Sequence, residues 1–290
     1  MLSKNYLWIN TAVLFLTFAL IACQAQMEYK KLPIDMDLFW GGEHIVLFCT
    51  VVLVQVVKGC RLYFELYEKR MPKGLFIRQY CKVVPVSMIL PGKLGDFFRA
   101  YCYGYHLGDY IAGMSVIVLD RFVDTLGLLT VMLALFTMYN SLPQKLCIFL
   151  FFFLLMLLAI YTTFPGMRRY WCHYLLVQPA SDKNLNRLRL VKRMQKAYSE
   201  LQRIVHGKFL IIYLLSLLAW SIEIGSLAVC CKYLTGESVH HVTEAYLSSA
   251  ISGDPSRHLL EFIGVSVLVL LFMYLIAAVW YYGRKKEWHG

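Results

Sequence analysis

Apolar residues occur in long, nearly uninterrupted runs along most of the chain, and shorter polar segments separate these runs. Six of the runs approach or exceed the roughly 20 residues that an α-helix needs to cross a bilayer. The pattern therefore predicts six spanning helices, over residues 6–23, 42–57, 111–138, 146–164, 209–231 and 259–282. The first run also has the pattern of a lipoprotein signal, with Lys4 before it and Cys23 at its end. An uncleaved first helix is the preferred interpretation.

Two further segments are apolar at their ends but broken in the middle. Residues 83–107 are interrupted by Pro91–Asp96, and residues 239–258 are interrupted by Gly253–Pro255. Glycine and proline free backbone groups that hydrocarbon cannot satisfy, so such a break is tolerated only where protein or water surrounds it.

The positive charges predict the orientation of the spans. Lys and Arg number seven in residues 58–82, ten in residues 165–208 and three in the tail after residue 283. The positive-inside rule places these segments and both termini in the cytoplasm. Segment 83–107 must then begin and end on the cytoplasmic side, and segment 239–258 on the external side.

We therefore predict an all-α polytopic membrane protein with six spanning helices and two re-entrant hairpins. The first repeat covers residues 1–138 and the second covers residues 139–290, with the same order of elements and opposite orientation. Such an inverted-topology repeat is common among transporters. The alternative is eight ordinary helices, two of them weakly apolar. Residues 183–205 combine helical apolar spacing with many Lys and Arg, which predicts a basic amphipathic helix on the inner leaflet.

Composition narrows the class further. Hydrophobic residues make up 59% of the 290 residues and charged residues 16%, against about 25% in soluble domains. This excludes an ordinary soluble fold and a disordered chain. The net charge is +11, but the basic residues alternate with apolar runs, so nucleic-acid binding is not predicted. The expected location is the cell inner (plasma) membrane.

The first break has the residues of an anion site. A half-helix N-terminus attracts anions, and Lys and Arg add formal positive charge. The predicted substrate-binding residues are Pro91, Gly92, Lys93, Gly95, Asp96 and Arg99. The alternative is a structural turn whose basic residues contact bulk lipid phosphates.

Charged residues inside apolar runs are the second candidate group, because such residues are costly in lipid and usually face a polar interior. Asp120 and Asp124 share a helix face with a spacing of four residues, and Arg121 lies three residues before Asp124. They are predicted to line a polar route or gate, to form a structural ion pair, or to carry a proton. Glu223 needs a partner, for which Arg61, Arg99 and Arg121 are candidates. Glu261, four residues after Arg257, lies at the start of the last run. Arg61, Glu223 and Glu261 are predicted to belong to the same polar route or gate, with an interfacial Arg257–Glu261 pair as the alternative for Glu261.

Catalytic and metal-binding patterns are not recognised in the sequence. His240, His241, Glu244 and His258 lack a tight ligand spacing and are interpreted as interface residues. No metal site and no cofactor is predicted, and a transporter is favoured over an enzyme.

Two motifs resemble the lysylphosphatidylglycerol synthase transmembrane family. Ser87–Tyr101 resembles its LPGxLGDxxRAxx segment, Asp120–Asp124 resembles its acidic-Arg-x-x-Asp motif, and Arg61 fits an Arg found after its second span. The second half departs from the family, because residues 252–257 replace a Pro-Gly-Gly-x-Gly-x-x-Glu segment. The resemblance implies a flippase-like protein without the synthase domain.

The substrate of such a flippase-like protein would be an anionic lipid, such as an aminoacylated phospholipid or a polyprenyl-phosphate sugar. The main hypothesis is therefore a lipid translocator whose partners are anionic headgroups. One alternative is a non-catalytic scaffold for a glycosyltransferase or another envelope-biosynthesis enzyme, docked on the basic helix. Another is an integral-membrane lipid transferase that uses the acidic pair. A homo-oligomer is compatible with all three.

Overall fold

The computed structural model of the protein describes residues 42–66, 71–90, 94–139, 144–178 and 181–234, with Tyr246, residues 265–277 and Val279. All regular secondary structure in these residues is α-helical. The helices are α1 (Gly42–Leu66), α2 (Lys73–Ile89), α3 (Leu94–Leu107), α4 (Tyr110–Tyr139), α5 (Gln144–Val177), α6 (Asp182–Leu234) and α7 (Val265–Ala277).

Among the described residues, three helices are long and apolar enough to cross a membrane, judged by length and composition. The segments are Ile45–Leu66 in α1, Cys147–Val177 in α5 and Asp182–Leu227 in α6. Helix α4 is also long, at 30 residues, but it carries the three charges of the Asp120–Asp124 motif. The described part of the molecule is thus a membrane-embedded helical assembly with charged residues within its long helices.

The core lies between α1, α4 and α6. Helix α6 packs against α1 and against α4, and α3 packs between α2 and α4. The largest buried cluster joins Leu62, Val83, Tyr103, Val123 and Ile212, which come from five different helices. This core places the charged face of α4 opposite α1, α3 and α6.

Helices α2 and α3 form a tight hairpin around the predicted break. A Cβ at Gly95, in the first turn of α3, would collide with the carbonyl oxygen of Ser87 in α2. Close packing continues between α3 and α4, where a Cβ at Gly113 would lie 2.5 Å from the backbone nitrogen of Gly104. Since only glycine fits such contacts, these positions let the backbone of α3 approach both neighbours.

Helix α5 lies at the periphery of the assembly. Only 11% of the 18-residue apolar stretch that makes α5 a candidate span is buried, against 44% of the corresponding stretch in α1. Its exposed side chains include Phe149, Phe151 and Phe152. An apolar helix with so much exposed surface is suited to a lipid environment rather than to water.

The helix boundaries refine several sequence predictions. The predicted span 42–57 ends too early, because α1 continues to Leu66. Its last turns carry Arg61 and Glu65. Because both side chains are buried in the protein, the helix continues past these charges. Helix α4 agrees with the predicted span 111–138 to within one residue at each end. The predicted break in segment 83–107 falls between α2 and α3, although α2 begins ten residues earlier, at Lys73.

The predicted surface helix 183–205 and the predicted span 209–231 lie in one helix, α6, of 53 residues. At 1.5 Å per residue, α6 is roughly 80 Å long, well beyond the roughly 30 Å of a hydrocarbon core. The predicted span 6–23 lies outside the described residues, and so does the external hairpin 239–258 apart from Tyr246. The count of six spans, the inverted repeat and the domain limits 1–138 and 139–290 stay predictions.

Candidate functional site: a buried network of ion pairs

Arg61 is the centre of a charge network in the core. Its Nε and Nη2 donate to Asp120 Oδ1 at 3.0 and 2.7 Å. Its Nη1 donates to Asp124 Oδ1 at 2.5 Å and to the Ser216 hydroxyl at 2.9 Å. Only 4% of the Arg61 side chain and 2% of the Asp120 side chain are exposed. Because every nitrogen of the guanidinium donates, Arg61 ties α1 firmly to α4 and α6.

Arg99 in α3 makes fewer hydrogen bonds than Arg61 does. Its Nη2 donates to Asp120 Oδ2 at 3.1 Å, and its Nη1 lies 3.9 Å from Asp96 Oδ1. Its Nε is buried and has no hydrogen-bond partner among the described residues. A buried guanidinium N–H without an acceptor is costly, so Arg99 has donor capacity that the described side chains do not use.

The outer end of the network is Asp96 with Arg121. Arg121 Nε and Nη2 donate to Asp96 Oδ1 at 2.7 and 2.5 Å. The Arg121 side chain is 43% exposed, in contrast to Arg61. Six charges that alternate in sign thus lead from the surface into the core, and we name them the charge ladder: Arg121, Asp96, Arg99, Asp120, Arg61 and Asp124.

A second polar group lies between α1 and α6. Lys58 Nζ donates to Glu223 Oε2 at 2.7 Å, and the Tyr246 hydroxyl donates to Glu223 Oε1 at 2.6 Å. The Lys58 ammonium also lies 5.2 Å from the ring centroid of Trp220, within range of a cation–π interaction. The Trp220 indole N–H donates to the backbone carbonyl of Asp124 at 3.1 Å, which places this group beside the ladder.

Glu65 is the unusual member of this region. It lies one helical turn after Arg61 in α1 and is completely buried. Neither carboxyl oxygen has a hydrogen-bond partner among the described residues. The Tyr103 hydroxyl, one turn after Arg99 in α3, is likewise buried and without a partner there. The inner end of the network therefore contains polar groups that the described residues do not satisfy.

The structure brings most of the predicted site residues together. Arg61, Asp96, Arg99, Asp120, Arg121 and Asp124 form the ladder, Gly95 supports it through the hairpin, and Glu223 lies close by. Pro91, Gly92, Lys93 and Glu261 lie outside the described residues. The partner of Glu223 is Lys58, which was not among the three arginines considered, and Arg121 pairs with Asp96 rather than with Asp124.

Sequence reasoning missed four polar residues: Lys58, Glu65, Ser216 and Tyr246. Glu65 was detectable, since its spacing of four residues from Arg61 places both on one helix face. Lys58 was counted only as an orientation charge because it follows the predicted end of the second span. Ser216 and Tyr246 carry no charge, and nothing in their local sequence marks them.

Metal-ligand spacing was not recognised in the sequence, and among the described residues no group of three or more His, Cys, Asp or Glu is arranged to hold a metal ion. The histidines near residue 240 and His258 lie outside those residues. The absence of a metal or a cofactor stays a prediction.

The helices and the ladder together define a class: an α-helical membrane protein with an ion network buried among its helices. The sequence matches the lysylphosphatidylglycerol synthase TM region family over residues 12–237, more than three quarters of the chain. The protein therefore belongs to this family, as its two motifs predicted, and the family relates it to membrane proteins that handle lipids. Comparisons with curated proteins and with solved structures gave no match.

Proposed function

We propose that the protein is a flippase-like transporter that moves an anionic lipid between the two leaflets. The observation that carries this proposal is the charge ladder, because alternating charges lead from half-exposed Arg121 to buried Arg61 among apolar helices. Charges in a membrane interior are expensive and usually mark a substrate or ion pathway.

Arg99 is the group best placed to receive a headgroup phosphate. It has a buried Nε without a described acceptor and a single hydrogen bond to Asp120. A phosphate can accept two parallel N–H bonds from a guanidinium. Arg61 makes four hydrogen bonds and serves instead as the anchor that holds α1, α4 and α6 together. Asp96 and Arg121 form the outer gate, and Lys93 would add charge at the break.

The α2–α3 hairpin fits a re-entrant element. Its helices contain 17 and 14 residues, fewer than the roughly 20 that a crossing helix needs. In the proposed architecture this hairpin enters from the cytoplasmic side, and an external hairpin in residues 239–258 mirrors it in the second half. The alternating-access motion would then pass the headgroup between the hairpins while the acyl or prenyl chains stay in lipid.

The proposed setting is the cell inner (plasma) membrane with both termini in the cytoplasm. This orientation rests on the Lys and Arg bias described above. It places the C-terminal end of α5 and the basic first half of α6 on the cytoplasmic side.

A scaffold for an envelope-biosynthesis enzyme is the second candidate, favoured by the length of α6. About 20 residues suffice to cross the membrane, whereas α6 has 53. Its first half carries exposed basic residues, among them Arg187, Arg189 and Arg193. This surface would dock the enzyme, and the ladder would then be structural.

One experiment separates the two functions. The protein is reconstituted in liposomes with labelled anionic lipids, and leaflet exchange is compared among wild type, Arg99→Lys and Arg187→Ala. Arg99→Lys keeps the charge but loses the planar fork, so exchange should fall at least tenfold, whereas exposed Arg187 is the matched control and should have no effect. Exchange no faster than in protein-free liposomes, across the lipid classes, would refute the flippase proposal. Co-purification of an enzyme that is lost on neutralising Arg187, Arg189 and Arg193 would establish the scaffold.

A further inference from the structure

Among the described residues, the Glu65 carboxyl group is one more than the buried arginines beside it can neutralise. The charged groups that act on it are Arg61 in its own helix, Arg99 from α3, and Asp120 and Asp124 from α4. Helix α6 contributes the Ser216 hydroxyl to this environment. Two guanidinium groups thus face three carboxyl groups.

The hydrogen bonds show how the charges are distributed. Asp120 accepts from both arginines, and Asp124 accepts from Arg61. These four groups are neutral as a set, and Arg121 neutralises Asp96 at the outer end. An ionised Glu65 would add an unpaired negative charge at a completely buried position, where neither of its oxygens has a partner among the described residues. Such a charge is strongly unfavourable, so the group is neutral in this arrangement.

We infer that Glu65 is a proton-binding site coupled to the anion site, an inference that rests on the proposed function. In the closed arrangement Glu65 holds a proton as a carboxylic acid. When the helices separate and water reaches it, Glu65–COOH releases the proton to water and becomes Glu65–COO⁻. The ionised carboxylate then competes with an anionic headgroup for Arg61 and Arg99.

This competition links the two ligands. A headgroup phosphate that takes the donors of Arg99 displaces Asp120 and adds negative charge to the site, which favours the protonated form of Glu65. By reciprocity, protonation of Glu65 must strengthen anion binding. The two titratable neighbours Tyr80 and Tyr103 share this environment with Arg99 and Asp120, but neither supplies a negative charge as a neutral phenol. Glu65 is thus the group through which pH is expected to act on lipid exchange.

The first test is infrared difference spectroscopy of the full chain in membranes. Wild type should show the C=O stretch of a protonated buried carboxyl, and Glu65→Gln should lose it. Glu200→Gln, a change in the basic half of α6, is the matched control and should keep the band. A band that persists unchanged in Glu65→Gln would overturn the inference. Glutamine mimics the neutral acid in shape, and Glu65→Met provides a second neutral variant should the first fold poorly.

The second test measures leaflet exchange of a labelled anionic phospholipid at several pH values. Wild-type exchange should slow as pH rises, whereas Glu65→Gln should keep the low-pH rate throughout. A pH dependence identical in both proteins would overturn the inference. Absence of exchange in wild type, with the infrared band present and lost in Glu65→Gln, would refute the flippase proposal and leave the proton site established.

Discussion

Two aspartate–cation pairs in this protein have almost the same N–O distance and very different surroundings. Arg61 Nη2 lies 2.7 Å from Asp120 Oδ1, and Lys196 Nζ lies 2.6 Å from Asp109 Oδ2. The first pair is buried, whereas 57% of the Lys196 side chain is exposed. The first pair joins α1 to α4, and the second joins α6 to the turn just before α4. Distance alone therefore says little about what an ion pair contributes, and burial together with the number of shared partners decides it.

The physical reason is the response of the surroundings. Around Lys196, water solvates either charge if the other is removed, and salt screens the pair. Around Arg61, removal of a partner leaves a charge that only the remaining ladder can solvate. The buried pair is thus suited to couple the positions of the helices to the binding of a ligand. The exposed pair only links α6 to the turn before α4.

The largest expected effect in this comparison comes from Asp120→Asn. The change removes the negative charge that Arg61 and Arg99 share. It also replaces one of the two accepting oxygens by an NH2 group, which cannot accept. We expect the free energy of unfolding in detergent to fall by about 3–5 kcal/mol, measured by denaturant titration. Asp124→Asn is the matched control and should cost clearly less, since Arg61 is the one arginine among the described residues that donates to Asp124. Equal losses of stability would show that contact with two arginines does not make Asp120 more stabilising than Asp124.

Gly95→Ala tests the support of the ladder rather than its charges. The added methyl group would meet the Ser87 carbonyl oxygen, so the α2–α3 hairpin must open and carry Asp96 and Arg99 away from their partners. Overpacking of this kind costs about 1–3 kcal/mol, to be read from thermal unfolding. At Gly207, nothing lies within 4 Å of an added Cβ. Gly207→Ala should therefore be neutral or stabilising, and a similar loss there would contradict the steric explanation.

Ser216→Ala removes the one uncharged hydrogen-bond partner that Arg61 has among the described residues. The hydroxyl accepts from Arg61 Nη1 and donates to the Val123 carbonyl at 3.2 Å. Loss of a hydrogen bond to a charged group costs about 1.5–3 kcal/mol. We expect a loss near the lower limit, because the two aspartates still hold Arg61, and measure it by the same denaturant titration. Ser221→Ala, at an exposed position of α6, should leave stability unchanged.

Lys196→Ala should have the smallest effect, near the limit of measurement and absent at high salt. Asp109 also accepts from the backbone N–H groups of Ile111 and Ala112 at 3.1 and 3.4 Å, so it caps α4. Asp109→Ala should therefore cost more than Lys196→Ala, by about 1 kcal/mol. If the two variants lose equal stability, the cap contributes nothing.

The stability that Asp109 contributes depends on pH, and the direction of this dependence follows from its pKa. The hydrogen bond from Lys196, aided by the two backbone N–H groups, holds the pKa of Asp109 below its ordinary value. A lowered pKa in the folded state contributes stability that is present above about pH 4 and is lost as the pH falls further. Wild type should lose this contribution on acidification, and Asp109→Asn should not, in thermal unfolding scans between neutral and acid pH.

Much of the fold was predictable because hydrophobic runs have a length that the bilayer dictates. Helix α4 was predicted almost to the residue, and the break between α2 and α3 was visible as Pro91–Asp96. The end of α1 was not predictable in this way. A charged residue usually marks the end of a span, but Arg61 and Glu65 are buried inside the protein and the helix continues past them. Continuity of α6 across Gly207 was also not predicted, since a glycine in a helix costs only about 1 kcal/mol and packing overrides it.

The sequence by itself determined the class of the protein, its family motifs and the set of charges that must find partners in an apolar setting. Those properties follow from composition and from spacing along one helix, which are local. Only the tertiary structure decided that Arg61 pairs with Asp120, that Glu223 pairs with Lys58, and that the carboxyl oxygens of Glu65 have no hydrogen-bond partner among the described residues. Pairing between helices depends on which faces pack together, and the local sequence does not contain that information.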